Sequence, residues 1–320
     1  MTIEVREYVA ADKDDWDDFL KRSINGTIYH SIKFLEYYTN KKKEIKANHL
    51  LFKKKGKLIA ILPAGIANAT SNRTLLSPYC ASFGGFMHTK DLSLKDSLLV
   101  LDAFLEYCKE YEIGTVYITQ PPQVYYEIPN EYIEFGLLKN GFAIHRYEVT
   151  IVMRLQDNLL YRFDHEARKG VRRAEKSGVI VSEAEVFEPF YDILVDNRRK
   201  LGAIPAHSLE DLYALKERLP DKIKLFMAYL NDEPIAGTLI FVCTKKTILD
   251  YYWAHRDEYQ KVRPINKLIY DVGEWGRRNG FQFFDFGTTT LNMVPNWGGA
   301  KFKERHNARG VLRTTFMKTT

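Results

Sequence analysis

The chain has 320 residues, a formal net charge of +6, 45% hydrophobic and 28% charged residues. That length allows two ordinary domains, and the composition excludes a disordered, collagen-like or disulfide-scaffold protein. Cys80, Cys108 and Cys243 are too widely spaced for a disulfide framework or a CxxC knuckle, which assigns no metal and fits a reducing cytoplasm. Residues 1–16 are charged from Glu4 onward and do not read as a signal peptide. The longest nearly apolar stretch, 58–69, is far short of the ~20 residues of a membrane helix. The expectation is a cytoplasmic protein without a transmembrane segment.

In chain order, residues 15–38 read helix, turn, helix, and 49–61 read strand, polar turn, strand. The stretch 77–86 offers Gly84-Gly85 as either a phosphate loop or a plain turn. Residues 98–108 place Leu98, Leu101, Leu105 and Cys108 on one helical face, then Gly114 precedes a short apolar strand. A basic helix is expected over 158–177, a hairpin over 223–243 and a third strand over 247–254. Ile265, Leu268, Ile269, Val272 and Trp275 mark a helix over 264–279. A central strand over 281–286 and a last strand near 311–317 follow. In both halves a Gly just past the helix reads as its stop.

The halves match in order. Residues 49–61 and 225–237 both read hairpin with Ile-Ala after the turn, and 107–118 and 275–286 both read helix end, turn, strand. The offsets are similar, which indicates a duplicated unit of hairpin, helix, central strand, helix and final strand. The expected class is α/β (α+β), with two domains at 1–152 and 153–320. Each would be a mixed, mainly antiparallel sheet flanked by helices.

This element order resembles the GNAT acyltransferase fold, and its tandem form with a basic helix between the copies is similar to the Fem-type aminoacyltransferases. Four segments carry the resemblance: 15–38, the Arg/Lys-rich 166–181, the hairpin and strand 232–259, and 284–308 with its Asp-Phe-Gly strand end and Phe-Lys element. It implies two tandem GNAT-like domains, the first a scaffold and cleft wall, the second catalytic. It implies transfer of an acyl or aminoacyl group to an amine of a peptidoglycan or polysaccharide precursor. The donor is acyl-CoA or aminoacyl-tRNA, with no tightly bound cofactor. The charged heptad insertion of some Fem enzymes is absent. Where GNAT enzymes carry a glycine-rich pyrophosphate loop, this chain reads Gln260 to Ile265 with Arg263 and Ile265 at the small-residue positions. Weak CoA binding is therefore expected there, with Arg263, Asn266 and Lys267 at the helix start as donor contacts.

For chemistry, Asp285 sits between Phe284 and Phe286 and reads either as a general base or as a cap for the following Gly-Thr-Thr-Thr turn. Tyr252 is a candidate proton donor, Trp253 and His255 candidate cleft residues, each with a packing or surface alternative. Lys303 matches the Fem substrate-binding lysine, with Lys301 beside it. Arg168 and Arg172, four apart, can clamp a diphosphate or lie on a solvated face. Residues 301–320 hold six basic side chains against Glu304, and 162–176 hold six against three acids. Such clusters suit a phosphate-bearing or lipid-linked acceptor, tRNA, or a transient membrane-surface contact, and no DNA. Arg313 and Lys318 read as an inert basic tail. The competing class is a non-catalytic RNA- or glycan-binding module on a degenerate GNAT scaffold.

Overall fold

Each half of the chain builds its sheet around one parallel strand pair joined by a long helix. The computed structural model describes residues 2–39, 41, 44–69, 72–200 and 202–320. Two units result: Met1–Glu148 with Leu312–Thr320, and Val149–Val311. Compared with the division at 152/153 expected from sequence, the C-terminal residues 312–320 group with the first unit.

The first unit runs β1 (Ile3–Glu7), α1 (Lys13–Arg22), α2 (Ile32–Thr39), β2 (Ile45–Ala47), β3 (Leu50–Lys54), β4 (Lys57–Leu62), β5 (Gly65–Ala69), β6 (Asn72–Ser77), β7 (Met87–His88), α3 (Leu94–Glu110), β8 (Ile113–Thr119) and α4 (Tyr132–Lys139). One sheet has the order β1-β3-β4-β7, and β2-β5-β6-β8 line up in another. β6 and β8 are parallel, and residues 315–319 pair antiparallel with β8. Val100, Leu101, Phe104 and Cys108 of α3 pack on Ile113, Val116 and Ile118 in a buried core. Of the predicted stripe, Leu101 and Cys108 are buried in this core, Leu105 packs against it half-buried, and Leu98 is half-buried. Gly114 is not the stop of α3: it lies inside β8, and Glu112 takes the left-handed conformation (φ 52°) instead. Gly280, the expected stop in the second unit, does turn left-handed (φ 82°).

Gly84-Gly85 is a turn that closes the open end of the β6–β8 pair. Gly84 N–H donates to Thr119 O at 2.9 Å and Gly85 N–H to Ser77 Oγ at 2.9 Å. Gly85 has φ 80°, and a Cβ there would collide with Gln120 Oε1. Both amides are spent on the protein, so this loop offers no anion cradle.

β9 (Ala143–Arg154) leads into the second unit: α5 (Leu159–Arg162), α6 (His165–Lys176), β10 (Ile180–Ala184), α7 (Glu188–Lys200), α8 (Leu209–Arg218), β11 (Ile223–Leu230), β12 (Glu233–Val242), β13 (Thr247–His255), α9 (Pro264–Arg278), β14 (Phe283–Thr288), β15 (Thr290–Leu291), β16 (Val294–Pro295), α10 (Trp297–Glu304) and β17 (Ala308–Thr319). The basic segment 158–177 is two helices, because Phe163 is extended and Asp164 caps α6 by accepting from Ala167 N–H at 2.8 Å. The sheet order is β10-β11-β12-β13-β14-β9, antiparallel except for β13–β14. From β10 the second unit runs strand, two helices, three antiparallel strands, helix, parallel strand; the first unit keeps this order, but with six shorter strands, β2 to β7, divided over two sheets between its second and third helices.

Candidate acyl-transfer site

The site grows from a break in strand alternation. Along β12–β13, Leu239 pairs with Tyr252 and Ile240 with Asp250, so Tyr251 is an extra, bulged residue. A bulge shifts the faces presented by the residues after it. Tyr251 and Tyr252 both meet His207, between α7 and α8 (5.3 and 5.8 Å), while Tyr251 stacks on Phe241 of β12 (4.3 Å) and Tyr252 lies under Arg198 of α7 (5.5 Å). Asp250 and Trp253 then share the opposite face, lining an apolar crevice of about 10 Å³, the room of a single water, with Thr238, Ile265, Leu268, Ile269 and Phe284.

That crevice sits where β13 and β14 separate. They pair only from Thr247↔Phe283 to Leu249↔Asp285, although β13 continues to His255 and β14 to Thr288. The open carboxyl ends of parallel strands are where α/β sheets receive ligands. Asp250 is buried there, and Thr238 Oγ1 donates to its Oδ1 at 2.9 Å. Burial raises its carboxyl to about 7, against the opposing pull of the Thr238 hydrogen bond and the Lys303 charge. Asp250 was not among the sequence candidates. Its signal was a lone acid in an otherwise apolar strand, Thr-Ile-Leu-Asp-Tyr-Tyr-Trp-Ala.

Lys303 is 94% buried, since its residue exposure is 6%. Its Nζ donates to Gly287 O (3.0 Å) and Thr288 O (3.1 Å), and lies 5.8 Å from the Trp253 ring centre. It therefore ties α10 to the end of β14. Asp285 is fully buried between Phe284 and Phe286, which pack into the α9 core, so its carboxylate points to the other face. Its Oδ1 accepts from Thr150 Oγ1 and from Gly287 N–H (2.7 Å). These are the contacts that the capping alternative calls for.

Tyr252 also falls outside the crevice. Its hydroxyl accepts from Ala206 N–H (3.2 Å) and meets His207 Nδ1 (2.9 Å), and burial raises its proton affinity. His255 is half-buried at the strand end, its imidazole made less basic by burial. Trp253 packs edge-on against Phe302 at 5.6 Å. Lys301 is exposed on α10. Asp250, Trp253 and Lys303 meet at the crevice, Asp285 and Lys303 share Gly287 as a partner while Asp285 acts electrostatically on Asp250, and Tyr252 faces the α7–α8 loop.

A basic cavity of about 130 Å³ lies at the start of α9, lined by Glu166, Lys169, Gly170, Arg173, Arg263, Asn266, Phe302 and Arg305, among others. Phe302 thus borders this cavity and touches Trp253 of the crevice. Arg263 caps α9 in the left-handed region (φ 61°), where glycine would be unstrained, and Pro264 opens the helix. Asn266 is buried, donating from Nδ2 to His306 Nε2 at 3.1 Å, and His306 Nδ1 donates to Phe302 O at 2.9 Å. Burial depresses the His306 imidazole to about 4, so it is neutral at physiological pH. A Cβ on Gly170 would lie 2.7 Å from Asn266 Cγ, so glycine is what lets α6 approach α9.

The α6 side chains lining this cavity are Lys169 and Arg173. Arg168 and Arg172 are not in its lining, and Arg172 is exposed. Lys267 pairs with Asp271 (2.7 Å) and Glu175 (3.5 Å), away from the cavity. Among the described residues no group of three His, Cys, Asp or Glu side chains is placed to hold a metal, and no helix is long and apolar enough to cross a membrane.

The fold is that of two tandem GNAT-like domains. The acetyltransferase (GNAT) domain family matches residues 162–304. Among solved structures, the chain is similar to FemX, with 13% identity, 99% of this chain and 97% of that one covered, and a TM-score of 0.75. It is similar to the C-terminal domain of a protein assigned as a lysylphosphatidylglycerol synthetase from Agrobacterium fabrum (10% identity, 96% and 91% covered, TM-score 0.59). It is also similar to a tandem GNAT protein of the clavulanic acid biosynthesis pathway (7% identity, 99% and 98% covered, TM-score 0.56). At these identities the likeness is one of fold. Among curated proteins, the thymidylate kinase of African swine fever virus (strain Badajoz 1971 Vero-adapted) is 24% identical over 151 residues, covering 41% of this chain and 62% of the kinase. The match thus spans less than two-thirds of that relative. The present sequence has no GxxxxGK[ST] phosphate loop.

Proposed function

We propose that the second unit, 149–311, moves an acyl or aminoacyl group from acyl-CoA or aminoacyl-tRNA to an amine of a cell-envelope precursor, with Asp250 as the proton acceptor. The observation that carries this reading is a buried carboxyl with a proton affinity near neutrality, about 7, at the open end of the β13–β14 pair. A base poised near the working pH is what amine acylation needs.

The neutral amine attacks the donor carbonyl, forming the C–N bond and pushing the π pair onto oxygen. Backbone N–H groups along the β13 edge that β14 no longer pairs are the donors for that oxyanion. Asp250 takes a proton from the ammonium nitrogen of the tetrahedral intermediate. The C–S bond of a thioester, or the C–O bond of a ribose ester, then breaks, and Asp250 returns the proton to the departing sulfur or oxygen. Lys303 positions the end of β14 and offsets the charge on Asp250. Lys169, Arg173, Arg263 and Arg305 hold a phosphate group of the donor, supported by the α9 start.

The first unit acts as scaffold, since Gly84, Gly85 and Ser77 fill the end of its own parallel pair. An acceptor from peptidoglycan, polysaccharide or lipid metabolism accords with the likeness to FemX and to the lysylphosphatidylglycerol synthetase domain. The test is a mass-spectrometric screen of acetyl-CoA, longer acyl-CoAs and charged tRNAs against a UDP-linked and a lipid-linked amine. Acceptor-dependent acylation with one donor class supports the reading. Donor turnover in none of these mixtures contradicts it.

A further inference from the structure

Between Asp285 and Lys301 the sequence carries no charged residue. The hairpin β15–β16 falls in this stretch, with Leu291 paired to Val294. Asn292 (φ 51°) and Met293 (φ 63°) form its two-residue turn, both left-handed as in a type I′ hairpin. Its apolar side chains are exposed: Leu291 is 75% exposed, Met293 58%, Val294 68% and Trp297, at the start of α10, 77%. These are four of the large hydrophobic residues that are strongly exposed, and they lie within seven positions of one another.

The hairpin is held firmly at its base. Thr289 N–H donates to Val149 O and Asn296 N–H to Thr289 O, both at 2.8 Å, and Val149 N–H donates to Thr290 Oγ1 at 2.9 Å. A preformed, uncharged, apolar tip loses little conformational freedom when it is covered. Left in water, an apolar cluster of this kind marks an interaction surface.

We infer that this hairpin is a membrane foot that inserts Leu291, Met293, Val294 and Trp297 into the interface of an anionic lipid bilayer. The chemistry favours lipid: the tip has aliphatic side chains and an indole, with no charged group to desolvate, and tryptophan belongs at the headgroup level. Charge complements it. Lys301 is one helical turn from Trp297 and exposed, and Arg309 beyond it is exposed as well, against Glu304. Shallow insertion plus a few basic contacts gives reversible surface binding without a spanning helix. The inference rests on the transferase reading only for its purpose, which is to bring the second unit to a lipid-linked acceptor.

The test is sedimentation of the full-length protein with vesicles of phosphatidylcholine mixed with phosphatidylglycerol, and with vesicles of phosphatidylcholine alone. Wild type should bind the anionic vesicles, with a blue shift of tryptophan emission that is absent in Trp297→Phe. Leu291→Ser/Val294→Ser/Trp297→Ser should lose at least about tenfold in partitioning. Lys301→Gln should lose about fivefold on anionic vesicles only. No wild-type binding, or equal binding by the triple variant, overturns the inference. So does an equal loss of turnover by the triple variant on water-soluble and lipid-linked amines, which would make the hairpin a substrate lid. Vesicle binding needs no turnover, so failure of the transferase reading would be seen separately.

Discussion

Thr238 Oγ1 donates a 2.9 Å hydrogen bond to Asp250 Oδ1, across neighbouring strands and under the first turns of α9. The bond favours the carboxylate and partly offsets the burial that raises Asp250 to about 7. Removing it moves the proton affinity further up. In the pH–rate profile, activity should fall as pH drops through about 7, because the base becomes protonated. Thr238→Val should move that limb to higher pH. An unmoved limb would show that another group titrates in the reaction.

Lys303, matched from sequence to a substrate-binding lysine, would in that role alone contribute little to stability. Its burial and its two carbonyl partners reverse that expectation. Lys303→Met leaves Gly287 O and Thr288 O without their donor and should destabilise the protein by about 2 kcal/mol. Urea unfolding measures this, and a midpoint equal to wild type would contradict the assigned contacts.

Arg263 combines a strained backbone with a place in the basic cavity. Arg263→Gly should stabilise the fold by about 1 kcal/mol, because the left-handed region costs glycine nothing. The same change should weaken donor binding, as should Lys169→Ala with Arg173→Ala, by about tenfold. Arg168→Ala with Arg172→Ala should change it less than about twofold. Calorimetric titration with the donor identified in the screen distinguishes the two faces of α6.

His30, His49, His88 and His306 are each depressed by burial to about 4. The unfolded chain binds protons at these groups below about 6.5 while the native chain does not, so their stabilisation is present above that pH and is lost as pH falls toward 4. Asp250 and Glu134, raised by burial to about 7, work in the opposite sense, binding protons in the native state first. Four histidines against two acids predict a net fall in melting temperature over this window. His306→Gln should flatten it, as read by melting curves at successive pH values.

Much of the architecture was legible because hydrophobic period and punctuation survive in single sequences. The stripe Ile265, Leu268, Ile269, Val272 marks α9, and the repeated order of hairpin, helix and strand marks the duplication. The site was less legible because it depends on a single extra residue. Strict alternation along β13 puts Tyr252 with Asp250; the bulge at Tyr251 separates them and brings Trp253 to Asp250 instead. Charge runs mislead similarly: Arg313, expected in an inert tail, is buried within β17 over the Phe83 ring at 5.2 Å. Lys169 and Arg173 could be told from Arg168 and Arg172 only once α6 was seen to meet α9 at Gly170.

Asp285, read from sequence as either a base or a cap, makes the contacts of a cap, and the proposed mechanism puts the base at Asp250. Asp285→Asn weakens the contacts to Thr150 and Gly287 and should lower stability by about 1–3 kcal/mol, an effect visible in the melting temperature of the purified variant.

The most direct measurement is single-turnover acyl transfer by wild type and Asp250→Asn above pH 7, with the donor and amine that the screen identifies. Asp250→Asn should melt within a few degrees of wild type or higher, since a costly buried carboxylate is removed, and should transfer at least about 100-fold more slowly. Transfer by Asp250→Asn at the wild-type rate would contradict the assignment of Asp250 as the base and, with it, the crevice at the end of β13 and β14 as the site of reaction.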